Sequence, residues 1–139
     1  MHTVFPVEAG NFTKAGNVSS DVKRMLKQLG VPHKTVKRIV VALFEAEVNV
    51  IAHSWGGQVE ITVDPKQVLV RVVDTGPGIP DLDLAMTEGF STASEEVREM
   101  GYGAGMGLPN IRNNADELKI ETGANSHTDI HMTFYIDEE

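Results

Sequence analysis

Two neighbouring β-rich runs are the feature that most constrains the fold of this chain. Residues 58–63 read QVEITV and residues 67–73 read QVLVRVV, with the turn-prone sequence Asp64-Pro65-Lys66 between them. Two such runs joined by a short turn predict an antiparallel β-hairpin. The second run is almost continuously apolar, which is typical of a strand in the interior of a sheet. We therefore expect a sheet in which residues 67–73 form a central strand.

Two segments with helical periodicity precede this hairpin. In residues 13–29 the apolar side chains recur at helical spacing, and Gly30 stands where a C-terminal cap belongs. Residues 35–53 predict a longer helix. Its apolar stripe consists of Val36, Ile39, Val40, Leu43, Val50 and Ile51. Glu47 falls within this stripe, where an unpaired carboxylate is costly; the sequence leaves open a helix end near solvent and a subunit contact.

The rest of the chain adds a first strand and, after the hairpin, two helices and a second hairpin. Pro6 places the strand predicted within residues 2–12 at a sheet edge, because proline cannot donate a ladder hydrogen bond. The later segments are a short helix at 81–89, a long lid-like loop at 90–106, a helix at 108–117, and strands at 117–122 and 129–136. This order predicts one α+β domain over residues 1–139, a single-domain two-layer sandwich of a mostly antiparallel mixed sheet with helices on one face.

Composition and charge exclude several classes of protein. The chain has 139 residues and no cysteine, which excludes disulfides and thiolate metal sites and favours a reducing, cytoplasmic location. It has no apolar run of the roughly 18 to 20 residues that a membrane span requires, and no signal-peptide pattern at its start. The formal net charge of −8 offers no basic patch for nucleic acid. An anionic ligand must therefore be held by local groups such as backbone amides or a metal ion.

Three polar residues of the longer predicted helix share one face. Glu45, Asn49 and His53 are spaced by four residues, which aligns them along the helix. A solvated surface is the simplest interpretation of this spacing alone. A functional role requires that something polar cover the face.

A glycine-containing turn follows the predicted central strand. The sequence Asp74-Thr75-Gly76-Pro77-Gly78 is a strong turn on its own. A carboxylate at the end of a central strand can also accept a hydrogen bond from an amino group of a heterocycle, and the glycines let the backbone approach the ring. The pattern leaves a plain turn and a ring-binding turn as alternatives.

A second glycine-rich stretch, GYGAGMG, occupies residues 101–107 and has glycine at every second position. In isolation it is equally consistent with a flexible surface loop. It runs directly into the helix predicted from Leu108, and open backbone amides followed by the positive end of a helix dipole suit phosphate binding. The stretch matches neither the Walker pattern nor the dinucleotide-binding fingerprint.

Taken together and in this order, the three stretches resemble the GHKL superfamily of ATP-binding domains, which includes gyrase-type topoisomerases, histidine kinases and mismatch-repair ATPases. Residues 45–49 (EAEVN) match its N box, residues 74–78 (DTGPG) its first glycine box and residues 103–108 (GAGMGL) its second. Thr128 matches a threonine near the adenine, and His127 replaces the glycine that usually precedes it. The resemblance implies a Bergerat-type ATP-binding fold.

Within the superfamily, the chain most resembles bacterial anti-sigma-factor and stress-response switch kinases that act on serine or threonine. It is about as long as the ATPase domain itself, so we expect no sensor, dimerisation or transducer region. Residues 88–92 (EGFST), which precede the predicted lid, look closest to the stress-response switch kinases.

The resemblance assigns roles to residues at the matching positions. Asn49 is expected to bind a Mg²⁺ ion that bridges the phosphates of ATP, and Glu45 to act as general base for a substrate hydroxyl. Asp74 is expected to accept a hydrogen bond from the adenine amino group. Arg98 is a candidate lid cation for the triphosphate, with a solvated arginine as the alternative. For His53 a structural or rim position is favoured over catalysis.

The expected nucleotide-binding residues lie in or just after the N box and the first glycine box, in the second glycine box, and at the threonine of the last strand. They are Asn49, His53, Asp74, Gly76, Gly78, Ile79, Gly103, Ala104, Gly105, Met106, Gly107, Leu108 and Thr128.

The function implied by the resemblance is that of an ATP-dependent protein serine/threonine kinase that regulates transcription by partner switching. Its expected substrate is a small STAS-domain antagonist protein, and its second partner is a sigma factor or a phosphatase. A homodimer is also expected. Two alternatives stay open: a nucleotide-gated binding module without phosphotransfer, and a detached histidine-kinase catalytic domain. Glu45 favours the enzyme, because nucleotide binding alone does not need a base there.

Overall fold

The computed structural model describes residues 1–76, 107–122 and 127–136, and within these ranges the chain forms five strands and three helices. The strands are β1 His2–Val7, β2 Gly57–Val63, β3 Gln67–Asp74, β4 Glu117–Glu121 and β5 Thr128–Tyr135. The helices are α1 Asn17–Gln28, α2 His33–His53 and α3 Gly107–Asn114, and a 3-10 turn at Phe12–Lys14 precedes α1. The helix predicted at 81–89 and the lid predicted at 90–106 lie outside the described residues.

The five strands form one sheet in the order β1-β2-β3-β5-β4, and every pairing is antiparallel. β1 lies at an edge, as Pro6 predicts, and β3 lies in the centre between β2 and β5. In the register, Asp74 of β3 lies between Gly57 of β2 and Thr128 of β5. The end of the central strand therefore meets the starts of both neighbouring strands.

One face of the sheet packs against the described helices and encloses the hydrophobic core. Alternate residues of the central strand point into this core, which takes Val68, Val70 and Val72 from β3. The helices and the neighbouring strands contribute Val22, Leu26, Val36, Ile39, Leu43, Val50, Val59, Ile61, Ile111, Ile130, Met132 and Phe134. This face of the sheet and the apolar stripes of the helices thus bury their apolar side chains against each other. The predicted α+β two-layer sandwich is confirmed.

The ends of α1 follow from two glycines. The helix begins four residues later than the periodicity predicts, because Phe12–Lys14 forms the 3-10 turn and Gly16 takes a φ of 92°. At the other end Gly30 has a φ of 81°, and the N–H of Val31 donates to the carbonyl of Leu26 at 3.1 Å. This geometry is that of a Schellman cap, so the predicted C-terminal role of Gly30 is confirmed.

The ends of α2 lie close to the predicted limits. The helix begins at His33, two residues before the predicted start, and it ends at His53. The Ser54 hydroxyl donates to the carbonyl of Val50 at 2.7 Å and accepts a hydrogen bond from the backbone N–H of Gly56 at 3.1 Å. A side chain therefore satisfies backbone groups at the point where the chain leaves the helix.

The third helix is shorter than predicted, since α3 ends at Asn114 and not at residue 117. The backbone N–H of Asp116 donates to the carbonyl of Thr133 at 2.9 Å, so the chain has already joined the sheet. None of the described helices is both long and apolar enough to cross a membrane.

Candidate functional site

Glu45 and Asn49 lie one turn apart on α2, and both are half-buried. They are not on a freely solvated face. The side-chain amide of Asn110, in the first turn of α3, donates a hydrogen bond to Glu45 Oε1 at 3.2 Å. The face that carries Glu45 is therefore covered in part by a polar side chain, which is the condition for a functional role.

The contacts between α2 and α3 fix how the second helix lies along the first. At one end, Arg38 of α2 donates to the carbonyl of Asn114 at 3.1 Å and binds both carboxylate oxygens of Asp116 at 3.1 Å. At the other end, Asn110 contacts Glu45. A later residue of α2 thus contacts an earlier residue of α3, so the two helices run antiparallel. The N-terminus of α3 therefore lies towards the C-terminal part of α2, which carries Asn49.

Packing and charge hold α3 in this position. The side chains of Leu108 and Ile111 belong to the hydrophobic core, and Ile111 is fully buried. The guanidinium of Arg38, mainly through its hydrogen bonds, holds the pKa of Asp116 below its ordinary value, against the opposing effect of burial. Buried side chains and an ion pair therefore fix α3 against α2, and the N-terminus of such a helix can supply backbone N–H groups and the positive end of a helix dipole.

Asp74 closes the central strand with one carboxylate oxygen already engaged. Its Oδ1 accepts hydrogen bonds from the backbone N–H groups of Gly76 at 3.0 Å and Thr128 at 3.3 Å. Within the described ranges no hydrogen bond reaches Oδ2. The two backbone bonds orient the carboxylate and leave its second oxygen as an acceptor for an external amino group.

Gly76 is required by close packing against the end of α2. A Cβ atom at this position would lie 2.7 Å from Ser54 Cβ and 2.8 Å from Ser54 Cα. The backbone N–H of Thr75 also donates to the carbonyl of Gly56 at 3.0 Å. The turn after β3 is therefore fixed to the segment that follows α2, which brings Asp74 to the same end of the molecule as Asn49.

Thr128 opens β5 beside this turn. Its side chain is buried, and its hydroxyl lies 2.9 Å from the hydroxyl of Thr122. His127, which stands where the resemblance leads us to expect glycine, is exposed. The structure therefore brings Thr128 to Asp74 through the backbone N–H of Thr128, while the His127 side chain is directed to solvent.

Some predicted site residues can be located only by their backbone, and others lie outside the described residues. Gly107 is the first residue of α3, and Leu108 is buried in the core, so Leu108 can offer a ligand only its backbone. His53 ends α2, but its side chain is outside the described part of the structure. The residues that lie outside the described ranges are Gly78, Ile79, Arg98, Gly103, Ala104, Gly105 and Met106, whose roles stay predictions.

The predicted Mg²⁺ requires ligand atoms near the C-terminal end of α2. Among the described residues no cluster of three or more His, Cys, Asp or Glu could hold a metal by itself. Asn49 offers one side-chain oxygen. Mg²⁺ takes few protein ligands when phosphates and water complete its shell, so this single oxygen fits the ion.

Glu47 is a buried residue whose role could not be assigned from the sequence. It is 1% exposed, so neither a helix end near solvent nor a subunit contact is correct. Its carboxylate accepts hydrogen bonds at the N-terminus of α1 from the backbone N–H groups of Gly16, Val18 and Ser19 and from the Ser19 hydroxyl. A carboxylate in an apolar stripe signals that such a partner must exist, but the stripe does not identify it.

Comparison with known protein families gives a match over most of the chain. The family model described as histidine kinase-, DNA gyrase B-, and HSP90-like ATPase matches residues 34–138. Among curated proteins, an anti-sigma F factor of Thermoanaerobacter sp. (strain X514) is 32% identical over 114 residues, which cover 78% of this chain and 76% of the relative. The serine/threonine-protein kinase RsbT of Bacillus subtilis (strain 168) is 30% identical over 112 residues, which cover 78% of each chain.

Solved structures share the fold at lower identity. The RsbU and RsbW domains of Rv1364c from Mycobacterium tuberculosis superpose with a TM-score of 0.67 at 18% identity, covering 98% of this chain and 32% of that one. The SiaB-SiaC complex from Pseudomonas aeruginosa gives a TM-score of 0.60 at 12% identity, covering 95% of this chain and 88% of the matched chain. This chain therefore spans about a third of the mycobacterial protein and most of the Pseudomonas one.

Proposed function

The chain belongs to the histidine kinase-, DNA gyrase B-, and HSP90-like ATPase family, and from this premise we propose that it is an ATP-dependent serine/threonine protein kinase of the anti-sigma type. Relatives with about this length and with 30 to 32% identity are named as anti-sigma F factors and as a serine/threonine-protein kinase. One structural observation carries the proposal most directly. Glu45 is held by Asn110 through Oε1, beside the N-terminus of the helix that follows the second glycine box.

Asp74 is the group that recognises the base of the nucleotide. Its Oδ1 is occupied by backbone N–H groups, which leaves Oδ2 to accept a hydrogen bond from the adenine amino group. A guanine presents a carbonyl at the corresponding place, and two acceptors facing each other cannot bond. The chain is therefore expected to prefer ATP to GTP.

Asn49 and the N-terminus of α3 are the groups that would hold the triphosphate. The backbone N–H groups of α3 would bind anionic oxygens, and Asn49 would hold Mg²⁺ through its side-chain oxygen. When bound, Mg²⁺ supplies positive charge beside the phosphates. Local groups of this kind are needed because the chain carries a formal net charge of −8.

Glu45 serves the transfer step as general base. The substrate hydroxyl oxygen forms a bond to the γ-phosphorus, the bond between that phosphorus and the β–γ bridging oxygen breaks, and ADP leaves. Glu45 Oε2, which has no hydrogen bond within the described ranges, accepts the hydroxyl proton. Asn110 therefore holds one carboxylate oxygen of Glu45, and the other can accept the proton.

The proposed partners are those that the resemblance implies. A small STAS-domain antagonist is the proposed substrate, and a sigma factor or a phosphatase is the proposed second partner. The anti-sigma names and the SiaB-SiaC complex support a partner-switching protein. We further propose that residues 1–139 act as one ATP-binding domain, that the chain forms a homodimer in the cytoplasm, and that it contacts no nucleic acid directly.

A phosphotransfer assay tests this function. The protein is incubated with γ-labelled Mg-ATP and the STAS-domain protein encoded in the same genome, and the label is then treated with acid. The expected product is acid-stable phosphoserine or phosphothreonine on the STAS-domain protein. An acid-labile label would instead identify a histidine-kinase domain, and an ATP-dependent complex without any label would identify a nucleotide-gated binding module.

A further inference from the structure

The hydrogen bond between Asn110 and Glu45 joins residues 65 positions apart in the sequence. An ionised carboxylate can only accept hydrogen bonds, so the donor must be the side-chain NH₂ of Asn110. The bond engages Oε1 and leaves Oε2 without a hydrogen bond within the described ranges. One oxygen of Glu45 is thus restrained and the other is available.

Asn110 is itself held firmly enough to act as a restraint. Its neighbours Leu108 and Ile111 are buried in the core, which fixes the rotation of α3. The Asn114 side chain donates to the carbonyl of Asn110 at 2.8 Å, and Arg38 holds the C-terminal end of the helix. A glutamate side chain otherwise loses substantial rotamer freedom when it is ordered, so a fixed partner reduces that cost at the moment of reaction.

We propose that Asn110 is a positioning residue that holds Glu45 in the rotamer from which Oε2 accepts the substrate proton; this inference rests on the proposed kinase function. Asn110 lies in the first turn of α3, the helix whose N-terminus is directed towards Asn49. The same helix would therefore supply amides to the phosphates and orient Glu45, the general base.

The chemical type of the side chain suits this task. A neutral amide orients a carboxylate without pairing its charge. A lysine or arginine at position 110 would form a charge-assisted bond, which is stronger and occupies the carboxylate more fully. An aspartate would remove the donor and place a second negative charge beside Glu45. Asparagine therefore restrains the base and leaves it able to take a proton.

The test compares Asn110→Asp with the wild type in two measurements, ATP affinity and single-turnover phosphotransfer to the STAS-domain protein. The variant keeps the shape of the side chain and loses the donor. We expect the transfer rate to fall about 10- to 100-fold, as for a misplaced catalytic group, while the ATP dissociation constant changes less than about threefold. Asn113→Asp, on the exposed side of α3, is the matched control, and its transfer rate should stay close to that of the wild type.

A double-mutant cycle separates positioning from general damage. In a Glu45→Gln background, Asn110→Asp should have little further effect on transfer, because the residue acts through Glu45. An equal fall in both backgrounds, a wild-type transfer rate in Asn110→Asp, or a parallel loss of ATP affinity would each overturn the proposal. A wild-type protein that binds ATP but transfers no phosphate would instead contradict the kinase function itself. In that case Glu45 would not act as a general base, and Asn110 would have no base to position.

Discussion

The carboxylate of Glu47 on α2 accepts two hydrogen bonds from Ser19 on α1, one from the backbone N–H at 3.1 Å and one from the hydroxyl at 2.7 Å. Its other oxygen accepts the backbone N–H groups of Gly16 at 3.0 Å and Val18 at 3.3 Å. Gly16, the residue before α1, has no side chain with which to cap the helix. A glutamate from another helix therefore satisfies these donors and places negative charge at the positive end of α1.

Replacing Glu47 by alanine should destabilise the protein strongly. The change leaves three backbone N–H groups and a hydroxyl without their acceptor in a buried site, and we expect a loss of about 2 to 4 kcal/mol in the free energy of unfolding. Glu47→Gln keeps one acceptor oxygen and should cost less. Denaturant unfolding measures both, with the exposed Glu121→Ala as control, expected within about 0.5 kcal/mol of wild type. A loss below about 1 kcal/mol for Glu47→Ala would contradict the capping role.

Replacing Asn49 by alanine should remove the dependence of nucleotide binding on Mg²⁺. If Asn49 supplies a metal ligand, wild-type ATP affinity should rise with added Mg²⁺, and the variant should lose about tenfold or more of that gain. Titration calorimetry with and without Mg²⁺ measures the difference. Asn113→Ala on the exposed side of α3 is the matched control. Equal Mg²⁺ dependence in Asn49→Ala and wild type would remove Asn49 from the metal site.

Replacing Asp74 by asparagine should weaken recognition of adenine while the strand end stays intact. The amide oxygen can still accept the backbone bonds that Oδ1 receives, but an NH₂ group now stands where Oδ2 accepted. We expect ATP affinity to fall about 10- to 100-fold, since a half-buried acceptor facing a donor is lost. Asp64→Asn, at the opposite end of β3 where Asp64 caps the hairpin turn, is the control. Unchanged ATP affinity in Asp74→Asn would contradict the adenine role.

The sheet face opposite the described helices carries a pH-dependent contribution to stability. Arg71 binds Asp129 at 2.7 Å and also Glu60, and mainly through its hydrogen bonds it holds the pKa of Asp129 below the ordinary value; His131 acts in the same direction and burial opposes them. A carboxyl group with a lowered pKa stabilises the fold above its ordinary pKa of about 4, and this contribution is lost as pH falls through the folded-state value.

Arg71→Gln should therefore destabilise the protein at neutral pH and much less in acid. Since the Arg71 side chain is 44% exposed and screened by solvent, we expect a small loss in the free energy of unfolding near pH 7, and a smaller one as the pH falls below about 4. Unfolding by urea at a series of pH values measures the difference in the free energy of unfolding between the wild type and Arg71→Gln. Lys119→Gln, which breaks an exposed pair with Glu121, is the control. A stability difference between the wild type and Arg71→Gln that grew towards acid pH would contradict the sign of this effect.

Most of the fold could be predicted because its signals are local. The apolar run at 67–73 identified the central strand, and Pro6 identified the edge strand. Gly30 identified the end of α1. These patterns work because strand position and helix caps depend on a few neighbouring residues. The start of α1 was predicted wrongly, since the 3-10 turn before it has no comparably clear sequence signal.

The sequence indicates which residues form the candidate site, but not the contacts among them. The motifs single out Glu45, Asn49 and Asp74, whose roles stay predictions, and the resemblance to the GHKL superfamily is confirmed by the family match. The partners of Glu45 and Glu47 lie on other helices, 65 and 28 to 31 positions away. Helical periodicity gives the face on which a side chain lies, but not which element covers that face. These contacts therefore needed the three-dimensional structure.

Glu45→Gln tests the central claim most directly, because it removes the base while keeping a side chain that Asn110 can still contact. The variant and the wild type are compared for ATP affinity and for acid-stable phosphate transfer to the STAS-domain protein in a single turnover. We expect ATP affinity to stay within about threefold and transfer to fall about 10²- to 10⁴-fold, the usual contribution of a general base. Phosphotransfer by Glu45→Gln at the wild-type rate would contradict the account.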